Sequence, residues 1–113
     1  MFLDTSGLLC LHDRAERFHA KAREVYHLAA RRLTHGYVLA EFVADLLDNP
    51  DIEVVWVDET LHRESVALLE ARHDKTYSLG DAASFILMRR HGLQAALTTD
   101  RHFEQEGFQR LLV

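Results

Sequence analysis

Residues 1–11 read MFLDTSGLLCL, a short apolar run, then an aspartate, two hydroxyl residues and a glycine at 4–7, then a second apolar run. We interpret Phe2–Asp4 as a buried strand and Ser6–His12 as the helix that follows it. An acid and two hydroxyls at such a junction lie at the carboxyl edge of the sheet, where open α/β folds bind ligands. Asp4 is therefore the first candidate functional residue. The same residue types also serve as ordinary helix N-caps, so this stretch alone leaves both interpretations open.

Length and composition limit the class of protein. The chain has 113 residues, 48% of them hydrophobic, and a single proline, which predicts one folded domain over residues 1–113. Its apolar runs fall short of the roughly 20 residues that cross a bilayer, and no leader pattern precedes the first strand. We therefore expect a cytoplasmic protein with no membrane partner. The single cysteine, Cys10, excludes an intrachain disulfide and is expected to pack as a small buried hydrophobe.

The net charge is −5, which argues against a broad basic face for nucleic acid. It leaves room for a local nucleic-acid site. If four carboxylates belonged to a cation site, the remaining charges would nearly balance. Part of the acidity would then be functional.

Helical and strand patterns alternate along the rest of the chain. In order, we predict a helix from Phe18 to about Arg32, a strand at Leu33 and Thr34, a helix over 37–47, a strand over 52–57, a helix capped by Asp58, a helix over 82–88, a strand over 95–98, a short helix over 101–106 and a strand over 108–113. This alternation indicates a three-layer α/β/α fold with a mostly parallel central sheet of about five strands.

Three aspartates occupy equivalent places in this pattern. Asp4 follows the first strand, and Asp100 follows the strand over 95–98. Asp81 ends the Ser-x-x-acid capping box that Ser78 begins, at the first turn of an apolar helix. Strand ends and the starts of the following helices share one edge of a parallel sheet. We therefore expect the three carboxylates to converge.

Other polar residues can join them. Glu41 lies on a helix that starts at the same edge, although solvent exposure explains it equally well. Ser6 lies two residues after Asp4, and Thr98 shares a strand face with Asp100, so both hydroxyls can support the acids.

A carboxylate cluster of this kind requires a counter-charge. Two carboxylates about 5 Å apart repel by roughly 3 kcal/mol at an effective dielectric constant near 20. The cluster must therefore hold protons or a cation. All-oxygen ligands favour Mg²⁺ or Mn²⁺ over zinc or copper.

Four segments in order resemble the PIN-domain nucleases and, within them, the VapC-type toxins of toxin–antitoxin pairs: LDTSGLL at 3–9, YVLAEF at 37–42, YSLGDAASF at 77–85 and LTTDRHFEQEGF at 97–108. The resemblance implies a PIN-like fold and metal-dependent cleavage of RNA. The family's acidic quartet corresponds to Asp4, Glu41, Asp81 and Asp100. Asp4 and Asp81 are expected to hold the principal Mg²⁺ or Mn²⁺ ion, and Asp100 to complete that site or bind a second ion. Glu41 is expected to hold or deprotonate the attacking water.

The chain departs from the family pattern after the second segment. Only residues 43–53 separate YVLAEF from the next strand, where VapC-like proteins usually carry a further helix. That arm commonly serves dimerisation and antitoxin binding. The resemblance thus implies a homodimer and a VapB-like antitoxin, both of which depend on a shortened segment. An inactive PIN-like interaction module is the alternative.

Other site types match less well. Haloacid-dehalogenase phosphatases need an aspartate where Ser6 stands, and an Asp-x-Ser-x-Ser adhesion site needs a serine where Leu8 stands. The eight histidines form no tight pair with cysteine, and solvated histidine explains them better than zinc. Arg14, Arg101 and His102 are candidate contacts to substrate phosphates, although surface solvation explains them as well.

Overall fold

A computed structural model of the chain describes residues 1–39 and 49–113. Residues 37–39 of the predicted helix over 37–47 are helical, and the rest of it lies outside the described residues, as do the predicted base Glu41 and most of the short segment 43–53. The elements are, in chain order, β1 (Phe2–Leu3), α1 (Thr5–His12), α2 (His19–Leu28), β2 (Leu33–His35), α3 (Gly36–Leu39), β3 (Glu53–Val55), α4 (Glu59–Ala71), α5 (Leu79–Arg90), β4 (Ala95–Leu97), α6 (Arg101–Gln105) and β5 (Gln109–Arg110).

The five strands form one sheet in the order β3-β2-β1-β4-β5, and every pairing is parallel. Phe2 is in register with Leu33 on one side and with Ala96 on the other. The first strand is therefore central, and its two neighbours come from distant parts of the chain. With the helices packed against the sheet, this confirms the predicted three-layer α/β/α fold.

The apolar core lies around β1, β4 and α5. Phe2, Phe85 and Phe103 are fully buried, and the Phe85 ring meets the Phe103 ring edge-on with centroids 5.0 Å apart. Helix α5 buries half of its residues, as its apolar composition predicts. Cys10 is buried, as expected for a small hydrophobe.

Close packing of α1 on β4 depends on Gly7. A Cβ placed on Gly7 would overlap the backbone carbonyl of Leu97, so the helix approaches the strand at a distance that only glycine permits. Because α1 begins directly after Asp4, this contact also places Asp4 next to the end of β4.

Helix capping follows the sequence patterns. The Asp58 side chain accepts a hydrogen bond of 2.7 Å from the Leu61 N–H, and Ser78 and Asp81 form both hydrogen bonds of a capping box. The capping box holds the Asp81 carboxylate at the N-terminal end of α5, on the carboxyl edge of the sheet.

Some boundaries differ from the predictions. Helix α2 ends at Leu28 rather than near Arg32, because Ala29 is extended and the Arg32 Nε donates to the Tyr26 carbonyl at the helix end. Strands β3 and β5 are shorter than the apolar runs that predicted them. Within residues 1–39 and 49–113, strand β3 pairs with the three residues of β2 alone, so its ladder ends where β2 ends.

Among the described residues, no helix has the length and apolar character needed to cross a bilayer.

Candidate metal and nuclease site

A pocket of about 910 Å³ opens at the carboxyl edge of the sheet, where β1 and β4 end and α5 begins. The carboxylates of Asp4, Asp81 and Asp100 line it together with an apolar wall that includes Leu9 and Val38. The three predicted aspartates therefore meet at one place, although 96 positions separate the first from the last. This is the convergence that the order of strands and helices predicts.

Asp4 is the most buried of these acids, with 9% of its surface exposed. Its Oδ2 accepts hydrogen bonds from Thr98 Oγ1 at 2.8 Å and from Ser6 Oγ at 3.2 Å. Burial raises the pKa of Asp4, with a smaller contribution from the charge of Asp81, while the hydrogen bonds from Thr98, the Thr5 backbone and Ser6 oppose that rise. The ionised form is thus disfavoured unless a cation compensates for it.

Ser6 and Thr98 are positioned in turn by the backbone that follows β4. Their hydroxyl oxygens lie 3.0 Å apart. The Thr99 N–H donates to Ser6 Oγ and the Asp100 N–H donates to Thr98 Oγ1, both at 3.0 Å. Each hydroxyl can therefore accept from the backbone while it donates its own proton to Asp4. These are the contacts expected of residues that hold a carboxylate in place.

A second group of ligand atoms includes two carboxylates that line the same pocket. One ligand atom from each of Asp81, Asp100 and His102 lies within 4.8 Å of the other two. The His102 Nδ1 is 3.1 Å from Asp81 Oδ2 and 3.4 Å from Asp100 Oδ1. Asp81 Oδ2 also accepts from the Ser78 N–H, and Asp100 Oδ1 accepts from the His102 N–H. Both carboxylates are therefore held by backbone groups at the start of a helix.

His35 is fully buried and contacts residues that line the pocket. Its Nδ1 accepts from the Tyr37 and Val38 N–H groups, which leaves the proton on Nε2, next to the Gly80 carbonyl and Ser84 Oγ. Burial lowers the pKa of His35 to about 4. The interpretation of the histidines as solvated is wrong for this residue, which joins the end of β2 to the first turn of α5.

The structure places the predicted basic residues differently. Arg14 is exposed in the turn after the C-terminal end of α1, whereas Asp4 lies at the N-terminal end of that eight-residue helix, which is about 12 Å long at about 1.5 Å per residue. Arg101 is exposed at the first position of α6. His102 points into the carboxylate group instead of toward solvent.

Sequence reasoning missed the position of His102 among the carboxylates and the contact that Thr76 makes with it. Thr76 Oγ1 lies 3.0 Å from His102 Nε2. The position of His102 could have been predicted from the sequence. His102 follows Asp100 by two residues at the start of a short helix, where the Asp100 side chain accepts a hydrogen bond from the His102 N–H. No local pattern pointed to Thr76, which comes from the loop before α5.

Comparison with known proteins matches residues 23–108 to the model of the PIN domain family. The chain belongs to the PIN domain family. The fold of this PIN domain is similar to the crystal structure of VapC20 from Mycobacterium tuberculosis, with a TM-score of 0.89 and 24% sequence identity over 99% of this chain and 98% of that one. VapC20 is described as a toxin that cleaves the sarcin–ricin loop. No curated protein matches the chain.

The donor set of this PIN domain fits a hard divalent cation. Carboxylate oxygens predominate, and at least two of them, from Asp81 and Asp100, are held close enough to share one ion. Burial raises the pKa of Asp4 in the same pocket, so its carboxylate is ionised only when a counter-charge lies nearby. A divalent cation would supply the missing counter-charge.

Proposed function

We propose that this PIN domain is an Mg²⁺- or Mn²⁺-dependent endoribonuclease that hydrolyses phosphodiester bonds in RNA, acting as the toxin of a toxin–antitoxin pair in the cytoplasm. The observation that carries the proposal is the convergence of Asp4, Asp81 and Asp100 on one pocket at the carboxyl edge of the sheet. Membership of the PIN domain family and the VapC-like fold support the choice of reaction.

Each acid has a proposed role. Asp81 and Asp100 hold the divalent ion, and Asp4 contributes to the same site while Ser6 and Thr98 fix its carboxylate. When bound, the ion lowers the pKa of a coordinated water and neutralises charge that develops on the scissile phosphate. Glu41, which lies outside the described residues, is assigned by the family resemblance to hold or deprotonate the attacking water.

The apolar wall of the pocket complements this chemistry. Leu9, Tyr37, Val38 and Leu79 line the same pocket as the carboxylates. They offer a surface for the ribose and base of a single-stranded nucleotide, since RNA is commonly read where its bases are unstacked. Backbone phosphate would then lie over the acids.

The first test is cleavage of an RNA panel by the purified protein with Mg²⁺ or Mn²⁺. The panel holds transfer RNA, messenger RNA and a ribosomal RNA fragment with the sarcin–ricin loop. We expect cleavage that a chelator abolishes and that Asp4→Asn reduces by at least about 100-fold, since loss of a metal ligand removes several kcal/mol of transition-state stabilisation. Asp74→Asn, at an exposed aspartate outside the pocket, is the matched control and should cleave normally.

Undiminished cleavage by Asp4→Asn would refute the role of Asp4. Binding of RNA with no cleavage under any of these conditions would instead favour the inactive PIN-like interaction module.

The partner proposals are a homodimer and a VapB-like antitoxin. The resemblance to VapC-type toxins implies both, and exposed Leu28 and Trp56, with 77% and 62% of their surface accessible, offer apolar area for a partner. The test is co-expression with the product of a small reading frame immediately upstream. A complex that suppresses cleavage supports the pair, and full activity in the presence of that product contradicts it.

A further inference from the structure

The imidazole of His102 lies between the two carboxylates that the proposed function assigns to the metal. We propose that His102 is a direct nitrogen ligand of the divalent ion, together with Asp81 and Asp100, and that this nitrogen makes the site prefer Mn²⁺ to Mg²⁺. The inference rests on the proposed function only in that a metal must bind at this pocket.

The spacing of the donor atoms fits shared coordination. Ligands at about 2.0–2.1 Å from one ion in adjacent octahedral positions lie about 3 Å apart. The His102 Nδ1 is 3.1 Å from Asp81 Oδ2 and 3.4 Å from Asp100 Oδ1. All three ligand atoms lie within 4.8 Å of one another, so a single ion can reach them once the side chains close around it.

The second ring nitrogen has the partner that a ligating histidine needs. Metal-bound histidines usually donate their other N–H to a neighbouring acceptor, which fixes the tautomer and the ring plane. The His102 Nε2 lies 3.0 Å from Thr76 Oγ1, which can accept that proton. The Nδ1 lone pair then faces two carboxylates, an arrangement that a cation between them stabilises.

The ring is also held in this orientation by its surroundings. Only 23% of the His102 side chain is exposed, and the Tyr77 ring meets it at 69° with centroids 5.2 Å apart. The His102 N–H is bound to Asp100 Oδ1 at 2.9 Å. Both ring nitrogens are thus engaged inside the cluster, which favours metal ligation over the phosphate contact that sequence reasoning assigned to His102.

Metal preference follows from ligand type. Carboxylate and water suit both Mg²⁺ and Mn²⁺, whereas imidazole suits transition metals. A site with one imidazole should therefore bind Mn²⁺ more tightly than Mg²⁺, and removal of the imidazole should weaken Mn²⁺ binding selectively.

The test measures metal binding directly. Mn²⁺ is titrated into the full chain and followed by electron paramagnetic resonance, with pulsed spectra to detect nitrogen coupling and Mg²⁺ added as a competitor. We expect nitrogen coupling in the wild type and none in His102→Gln. The variant should bind Mn²⁺ at least about tenfold more weakly, while its Mg²⁺ affinity changes by less than about threefold. His73→Gln, at an exposed histidine, should match the wild type.

A second variant tests the role of the ring's partner without removing the ring. Thr76→Val should keep the nitrogen coupling and weaken Mn²⁺ binding by a few-fold, because the ring loses its acceptor.

Absence of nitrogen coupling in the wild type, or equal Mn²⁺ affinity in His102→Gln, would overturn the inference. So would a higher KM for RNA in His102→Gln with unchanged Mn²⁺ binding, which would mark a substrate contact. RNA cleavage is measured separately. Nitrogen-coupled Mn²⁺ without cleavage would refute the nuclease activity and support His102 as a ligand. Cleavage without nitrogen coupling would support the nuclease activity and refute His102 as a ligand.

Discussion

Asp4 shows how a functional residue can oppose folding. Its carboxylate is buried, and burial raises its pKa, so the ionised form is disfavoured in the folded metal-free protein. Asp4→Asn keeps an oxygen for the hydrogen bonds from Ser6 and Thr98 and removes the charge. In chelator, we expect this variant to melt about 2–5 °C above the wild type.

Added metal should raise the melting temperature of Asp4→Asn less than that of the wild type. Added Mn²⁺ should raise the wild-type melting temperature, since a ligand that binds only the folded state stabilises it. The rise should be much smaller in Asp4→Asn. Thermal melts in chelator and in excess Mn²⁺ measure both effects, and a variant that melts below the wild type in chelator would contradict the argument.

His35 makes the folded protein less stable as the pH falls. The raised pKa of Asp4 has the opposite effect, because it favours the folded state at lower pH. The pKa of His35 is lowered to about 4 by burial, against about 6.5 in the unfolded chain. Between these values the unfolded state binds a proton that the folded state does not. The free energy of unfolding should therefore fall as the pH drops through this window, by about 1.4 kcal/mol per pH unit and about 3 kcal/mol in all from this group.

Urea unfolding at pH 4.5, 5.5, 6.5 and 7.5 measures that slope. His35→Asn should be less stable at neutral pH and should lose most of the slope, whereas His73→Gln should retain it. A slope that is the same in the wild type and His35→Asn would assign the acid sensitivity to other groups.

At the scale of elements, the contact between α1 and β4 determines where Asp4 lies. Gly7→Ala would place a methyl group on the Leu97 carbonyl, so α1 must move away from the sheet. We expect the free energy of unfolding to fall by about 2–4 kcal/mol. This loss is at the upper end of the range for overpacked sites, because a backbone carbonyl cannot move aside as a flexible side chain can.

Gly80→Ala is the matched control, since its Cβ would meet its neighbours at ordinary contact distances of 3.7 Å or more. Gly80 lies in the first turn of α5, where alanine has the higher helix propensity. Urea unfolding of both variants should show a large loss for Gly7→Ala and no loss for Gly80→Ala. Equal stability of the two variants would contradict the packing argument.

At the scale of the whole molecule, Glu106 joins three helices. Its carboxylate follows α6, is 4% exposed, and binds Arg72 at the end of α4 and Arg89 on α5 at 2.8 and 2.6 Å. Burial alone would raise the pKa of Glu106, but the two arginines outweigh it and lower that pKa. We expect Glu106→Gln to reduce the free energy of unfolding by about 1.5–3 kcal/mol.

The control for this ion pair is Glu59→Gln. Glu59 pairs with Arg63 on the exposed surface of α4, where both side chains are more than three-quarters accessible. Such pairs contribute at most about 0.5 kcal/mol. Thermal unfolding compares the two variants, and a loss of the same size in both would show that burial of Glu106 adds nothing.

The sequence predicted the fold and the convergence of the three aspartates because both depend on the alternation of strands and helices. It also predicted the capping box at Ser78, because that pattern spans only four residues and is local. It did not reveal the contact of Thr76 with His102, the buried position of His35 or the link from Arg72 to Glu106. Each of these joins residues at least 26 positions apart, and no periodic pattern records which distant side chains will meet.

The placement of β1 between β2 and β4 has a consequence for biosynthesis. The central strand pairs with residues 95–97, and the carboxylates come from positions 4, 81 and 100. A nascent chain cannot assemble this pocket until the segment through β4 and α6 has left the ribosomal exit tunnel. The proposed nuclease would therefore be inert while the ribosome is still translating that part of its own message.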